Sequence, residues 1–149
     1  MVAQPSNAWF QRSPDESAAL RLFCFSHAGG SASTFIPWIG KLPAGVEIVR
    51  VQLPGRGEHL SRPPFTSVQD LRGELVREIE PLLLDRPFSF FGHSQGALVA
   101  FELCRGLRER GLPLPVHLFV ASRRAPQLPL SRPKLHAIPD DDLAAYLAR

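Results

Sequence analysis

Ser94 is flanked by glycines two residues to either side, in the stretch Phe90-Phe91-Gly92-His93-Ser94-Gln95-Gly96-Ala97. A short apolar run, Phe88 to Gly92, leads into it, and a helical pattern follows from Gln95 to Arg110. A bare G-x-S-x-G match in a glycine-bearing loop would mean little. Between a strand and a helix it predicts a nucleophile elbow, a turn so tight that the serine backbone is strained and its hydroxyl stands clear of the sheet edge. The neighbours at plus and minus two must lack bulk, and Gly92 and Gly96 meet that demand. The chemistry expected is attack of the Ser94 hydroxyl on an acyl carbonyl. The Gln95 backbone N–H, at a helix N-terminus, would donate to the oxyanion that develops.

A second donor is expected from a loop after an earlier strand. His27-Ala28-Gly29-Gly30 follows the apolar run Leu20 to Ser26 and holds the position of the HGGG-type loop of esterases. Small residues there let backbone approach a substrate closely. The Ala28 N–H is the candidate donor, with Gly29 beside it and His27 as loop support. The plainer reading of this segment is a strand-ending turn.

A serine nucleophile also needs a general base and an orienting carboxylate, which in this kind of sheet follow the serine in the order Asp or Glu, then His. Two histidines follow Ser94. His117 falls within the run Val116 to Ala121, as core or sheet surface, and His136 lies in SRPKLHAIPDDD, away from any strand-ending loop suited to a base. His93 is fixed by the elbow and is expected to point away from where a base must sit. His27 and His59 precede the serine. After the strand that follows the elbow helix the sequence reads Ala121-Ser122-Arg123-Arg124, with no carboxylate. Asp140, Asp141 and Asp142 read as first-turn charges of a helix. The expectation is a truncated chain that stops before the segments bearing the acid and the base.

The elements that must position Ser94 alternate along the chain. Strands are expected at Leu20 to Ser26, Val46 to Leu53, Phe88 to Gly92 and Val116 to Ala121. Helices are expected at about Ser33 to Lys41, shortened or delayed by Pro37, at Val68 to Leu84 capped by Thr66 or Ser67, and at Gln95 to Arg110 ended by Gly111 and Pro113. Pro54-Gly55-Arg56-Gly57 breaks the second strand. Such alternation predicts an α/β fold: a mostly parallel sheet with helices on both faces, in the pattern of an α/β-hydrolase whose C-terminal part is missing. One partial domain over 1–149 is expected, with an irregular arm at 1–19 anchored by Trp9 and Phe10. The core would span 20–125, and a loop with the start of a helical lid 126–149.

Composition narrows the field. Hydrophobic residues make up 44% and charged residues 21%, ordinary for a globular protein, and no run approaches the roughly 20 apolar residues of a membrane span. No basic segment followed by an apolar run opens the chain, so a cytoplasmic setting is expected. Of the 17 basic residues 15 are arginine, and the densest group (Arg105, Arg108, Arg110) is interleaved with Glu102 and Glu109 as a solvated helix face. No basic stripe with interleaved aromatics argues for nucleic acid. Cys24 and Cys104 lie singly in apolar runs and read as small buried hydrophobes, with no metal-ligand spacing and no disulfide framework.

Four further segments carry a resemblance. Leu22-Phe23-Cys24-Phe25-Ser26-His27-Ala28-Gly29-Gly30-Ser31-Ala32 resembles the opening of the type II thioesterases of nonribosomal peptide and polyketide synthases, where proline commonly stands at Ser26. Val51-Gln52-Leu53-Pro54-Gly55-Arg56-Gly57-Glu58 is similar to that family's loop. Ser122-Arg123-Arg124-Ala125-Pro126 resembles its S-G-R-R-A-P segment with one glycine missing, and Ile138-Pro139-Asp140-Asp141-Asp142-Leu143 the start of its lid. Gln95 departs from the family's usual methionine, a change that alters the pocket more than a backbone donor. The resemblance implies an editing hydrolase that clears stalled or misprimed acyl groups from the phosphopantetheine arm of carrier proteins. Such a hydrolase would act through a serine acyl-enzyme, without a cofactor or metal, as a monomer partnered by carrier-protein domains. It also implies a late triad acid. The alternatives are a small-ester hydrolase or acyltransferase of the same fold, or a non-catalytic truncated remnant.

Overall fold

The computed structural model describes residues 8–129 and 137–148. Five strands form one sheet: β1 (Phe10–Arg12), β2 (Leu20–Phe25), β3 (Val46–Val51), β4 (Phe88–His93) and β5 (His117–Ala121), in the spatial order β1-β3-β2-β4-β5. β2, β3, β4 and β5 run parallel, and β1 pairs antiparallel with β3 at the edge. Among the described residues three α-helices accompany them, α1 (Val68–Ile79), α2 (Gln95–Glu109) and α3 (Asp140–Leu147).

The central strands read as near-continuous apolar runs because both faces of a parallel sheet are covered. On β2, Phe23 and Phe25 face a core shared with Val49, Val51, Phe88 and Phe90 and with Leu75, Ile79, Leu103 and Leu107 of α1 and α2. Its rings meet edge to face, Phe90 lying 5.7 Å from Phe23 and 5.5 Å from Phe25. The alternate residues Leu22 and Cys24 face the other way, onto Phe35 and Trp38 of a 3₁₀ helix at Ala32–Trp38. α1 and α2 thus cover one face, and the 3₁₀ helix covers the other.

Several elements differ from the sequence expectation, each for a local reason. The arm is not wholly irregular: Trp9 and Phe10 are buried, and Phe10–Arg12 adds the antiparallel edge strand. The stretch expected as a helix from Ser33 to Lys41 is the shorter 3₁₀ turn, capped by the Ser31 side chain and carrying Pro37 within it. The helix expected to reach Leu84 ends at Ile79 and tightens into a 3₁₀ turn at Glu80–Leu82, because Pro81 lacks the N–H that an α-helix would need. Ser67, rather than Thr66, caps α1 by accepting from the Asp70 amide. α2 ends as its sequence predicts, with Gly111 at φ 65° and the Leu112 amide donating 3.0 Å to the Leu107 carbonyl.

At the N-terminal ends of the strands Arg21 is buried at 2% exposure. Its guanidinium donates to Glu47 at 3.0 Å, to both Asp85 oxygens at 2.8 and 3.1 Å, and to the Leu82 carbonyl. Arg12 completes the cluster with 2.9 Å to the other Glu47 oxygen. A buried charge is tolerable only when paired and hydrogen-bonded in this way. The cluster lies at the sheet end opposite Ser94, so it belongs to the scaffold.

Candidate active site

Gly92 and His93 close β4, Ser94 follows, and α2 begins at Gln95. Ser94 sits at φ 54° and ψ −110°, a conformation L residues rarely adopt. Its N–H donates 2.8 Å to the Ala121 carbonyl, which anchors the turn to β5, and its own carbonyl accepts from Ala97 at 3.1 Å. The hydroxyl makes no capping bond to the helix it precedes. A Cβ on Gly92 would stand 2.5 Å from the Ala97 Cα, and one on Gly96 would stand 2.1 Å from the Phe25 carbonyl oxygen. Both glycines are therefore sterically required, and the strain at Ser94 is held by packing on either side of it.

The His27-Ala28-Gly29-Gly30 loop leaves the end of β2, next to β4. Its turn is closed by the Gly30 amide donating 3.0 Å to the His27 carbonyl, with Gly29 at φ 79°. The His27 ring, whose Nδ1 lies 2.8 Å from the Ala28 carbonyl oxygen, packs edge-on against His93 with centroids 5.4 Å apart. That contact brings the two segments singled out in the sequence side by side at the C-terminal ends of β2 and β4. Ligands of open α/β sheets bind at this end of the strands.

A cleft of about 290 Å³ opens beside the elbow, lined by Thr34, Phe35, Trp38, Phe91, His93, Ala121 and Ser122. Trp38 and Phe91 form its aromatic wall, 4.9 Å apart, and Phe35 packs on Phe91 at 5.9 Å. Ser122, at φ 55°, is with Ser94 one of two non-glycine residues at positive φ among the described residues, so β4 and β5 both end in a strained serine on this side of the sheet.

His117 is exposed on β5, stacked 5.6 Å from Phe119. The His59 ring, at the end of a short 3₁₀ turn at Gly57–His59, buries its Nδ1 without a hydrogen-bond partner. His93 does not turn away from the site but lines the cleft and faces His27. His136 lies outside the described residues. Among the described residues no group of three or more His, Cys, Asp or Glu side chains could hold a metal ion. Burial pushes the Cys24 thiol up to about 12, and burial raises Cys104 to about 11. Thiols so protonated are poor nucleophiles.

Two residues were quoted from the sequence without a role. Gln52, read as the end of the second strand, is a buried side chain just beyond β3. Arg56, read as part of a strand breaker, reaches Gln95 with a 3.2 Å hydrogen bond. The signal available was the polar Gln52 within the apolar run Val46 to Leu53.

Comparison with known proteins follows the same lines. Residues 20–149 match the thioesterase domain model. The chain is 44% identical over 142 residues to the gramicidin S biosynthesis protein GrsT of Aneurinibacillus migulanus, covering 95% of this chain and 55% of that protein. It is 40% identical to the thioesterase PikA5 of Streptomyces venezuelae, covering 97% of this chain and 51% of that one. Among solved structures, RedJ, a thioesterase from the prodiginine biosynthetic pathway in Streptomyces coelicolor, superposes with a TM-score of 0.80 at 40% identity, over 91% of this chain and 52% of that one. The type II thioesterase BorB from the borrelidin biosynthetic cluster gives 0.83 at 31% identity, over 98% of this chain and 59% of that one. These neighbours share the α/β-hydrolase fold. The chain spans about half the length of the relatives it matches.

Proposed function

The chain belongs to the thioesterase family, and from that premise we propose that it supplies the nucleophile half of a type II thioesterase acting on carrier-bound acyl groups. The observation that carries the reading is Ser94 at φ 54° between β4 and α2, with Gly92 and Gly96 giving it clearance. The reading concerns a whole protein of the relatives' length, about half of which this chain spans.

A base lying outside the described residues takes the Ser94 proton, and Oγ attacks the thioester carbonyl. The negative oxygen that forms is held by the Ala28 and Gln95 amides, the second reinforced by the positive end of α2. Collapse breaks the C–S bond. The pantetheine sulfur leaves with the proton from the base, and the acyl group stays on Ser94. Water then attacks the ester by the same route and releases the acid. The steps exchange only protons and electron pairs, so neither a cofactor nor a metal is called for. The cleft walled by Trp38 and Phe91 suits an apolar acyl group beside the elbow. The reading carries with it a carrier-protein partner, a monomeric state and a cytoplasmic setting.

The test is hydrolysis of a short acyl thioester by the whole protein, beside Ser94→Ala and beside the matching oxygen ester. Ser94-dependent release of thiol, faster than release of alcohol, is the expected result. Equal rates for Ser94→Ala would overturn the assignment of the nucleophile. A preference for the oxygen ester would favour a small-ester hydrolase, and no Ser94-dependent turnover from the folded whole protein would favour a non-catalytic role.

A further inference from the structure

Gln52 follows β3 as one of the few fully polar side chains in the interior, at 1% exposure. A primary amide buried so deeply must satisfy its donors and its acceptor, and here every partner is backbone. Its Oε1 accepts from the Ala32 amide at 3.1 Å, at the far end of the loop that begins with His27. Its Nε2 donates 2.6 Å to the Arg56 carbonyl and 3.3 Å to the Leu53 carbonyl, gripping the next loop. The Arg56 side chain continues the path: Nη2 donates 3.2 Å to Oε1 of Gln95, the residue after the nucleophile.

Steric evidence places the same three segments together. A Cβ on Gly57 would stand 2.9 Å from the Ser31 Cβ and 3.0 Å from Gln52 Oε1, so the Arg56 loop can pack here only because position 57 carries no side chain. A Cβ on Gly29 would lie 4.0 Å from Arg56 Nη1. The guanidinium therefore stands between the loop bearing Ala28 and the first residue of α2.

We propose that Gln52 and Arg56 are positioning residues, which tie the loop carrying the Ala28 amide to the helix start carrying the Gln95 amide and so hold two oxyanion donors in register. The proposal rests on Ala28 and Gln95 being those donors. The physical need is plain: the two amides lie on segments distant in sequence, and electrostatic stabilisation depends on their being fixed before charge develops. The sheet fixes the end of β2 and the helix fixes Gln95, while the loop between Ser26 and Ala32 is held by its own short-range bonds, by the His27 ring on His93 and, from the next loop, by this bridge. Arg56 suits the task because its planar fork loses little freedom on binding. Its charge also lies on the side where negative charge would form.

The experiment reads backbone order without requiring turnover, so its failure is separate from any failure of the thioesterase reading. Backbone amide order parameters are measured by nuclear magnetic relaxation on the 149-residue chain, with Arg56→Ala, Arg56→Lys and Gln95→Met. In the unaltered chain Ala28 to Gly30 should be rigid, near ~0.85, falling below ~0.6 in Arg56→Ala while β2 and β4 stay unchanged. Arg56→Lys should restore much of the order by donating to the same Gln95 oxygen. Gln95→Met, at an exposed position that keeps a good helix former, should shift the amide signals of Ala28 to Ala32 through Arg56 and Gln52 even if Arg56→Ala fails to fold. Unchanged signals at Ala28 to Ala32 in Gln95→Met, or unchanged order there in a folded Arg56→Ala, would overturn the proposal.

Discussion

The Gly96 Cα lies so near the Phe25 carbonyl that a Cβ at position 96 would stand 2.1 Å from its oxygen. No side chain can fit there without moving β2 or α2, and both are packed on the main core through Phe25 and Val99. Gly96→Ala should therefore destabilise the chain by about 3 kcal/mol or more, at the upper end of overpacking effects. Urea unfolding beside Gly73→Ala, where a Cβ meets nothing within 4 Å, measures the difference. A loss at Gly96 no larger than at Gly73 would contradict the geometry.

Ser94 carries backbone strain that glycine would not. At φ 54° and ψ −110° a residue with a Cβ is disfavoured by about 1–3 kcal/mol. Ser94→Gly should raise the unfolding midpoint, by ~2–4 °C for each kcal/mol recovered. Ser94→Ala keeps the Cβ and should gain little. Paired thermal melts of the two variants decide the matter, since both remove the hydroxyl and only one removes the strain.

Acid should weaken the fold partly through Asp85. Burial pushes its carboxyl up, but the Arg21 hydrogen bond and charge more than offset this and hold it below the ordinary carboxylate range. A group whose folded value is lowered stabilises above its unfolded value, near ~3.9, and loses that contribution as pH falls through the folded one. Stability should therefore decline below about pH 4. Asp85→Asn should lower stability at neutral pH and flatten that acid limb. The Asp85 side chain is 49% exposed, so screening keeps the effect modest. Denaturant unfolding at a series of pH values reads both features.

Neither cysteine should react in the folded chain at neutral pH. With Cys24 pushed up to about 12 and Cys104 to about 11, almost no thiolate is present near pH 7. Titration with a disulfide reagent should find no fast-reacting thiol before denaturant is added and two afterwards. A fast native thiol would show that burial at Cys24 or Cys104 is incomplete.

Much of the fold was legible because its signals are local. Apolar runs bounded by glycine and proline marked the four parallel strands, and the 3.6-residue period marked α1 and α2. Errors fell where one residue overrode a pattern. Pro81 cut short a helix whose apolar spacing continues to Leu83, and a three-residue strand hid in the arm because so short a run has no period to detect.

Sequence by itself determined the elbow: Gly92, Ser94 and Gly96 at fixed offsets between a strand and a helix leave the backbone few other conformations. Composition and spacing likewise settled that Cys24 is an interior hydrophobe. Tertiary structure decided what depends on neighbours far along the chain. Sheet order put β2 beside β4, and so set His27 against His93, 66 positions apart in the numbering. Arg21 could be buried only because Glu47 and Asp85 converge on it, and the Gln52 amide found its partners only because Ala32, Leu53 and Arg56 present backbone groups around it. The reason is physical: backbone sterics and period act over a few residues and are written locally. The pairing of a buried polar group depends on which partners folding brings within hydrogen-bond reach.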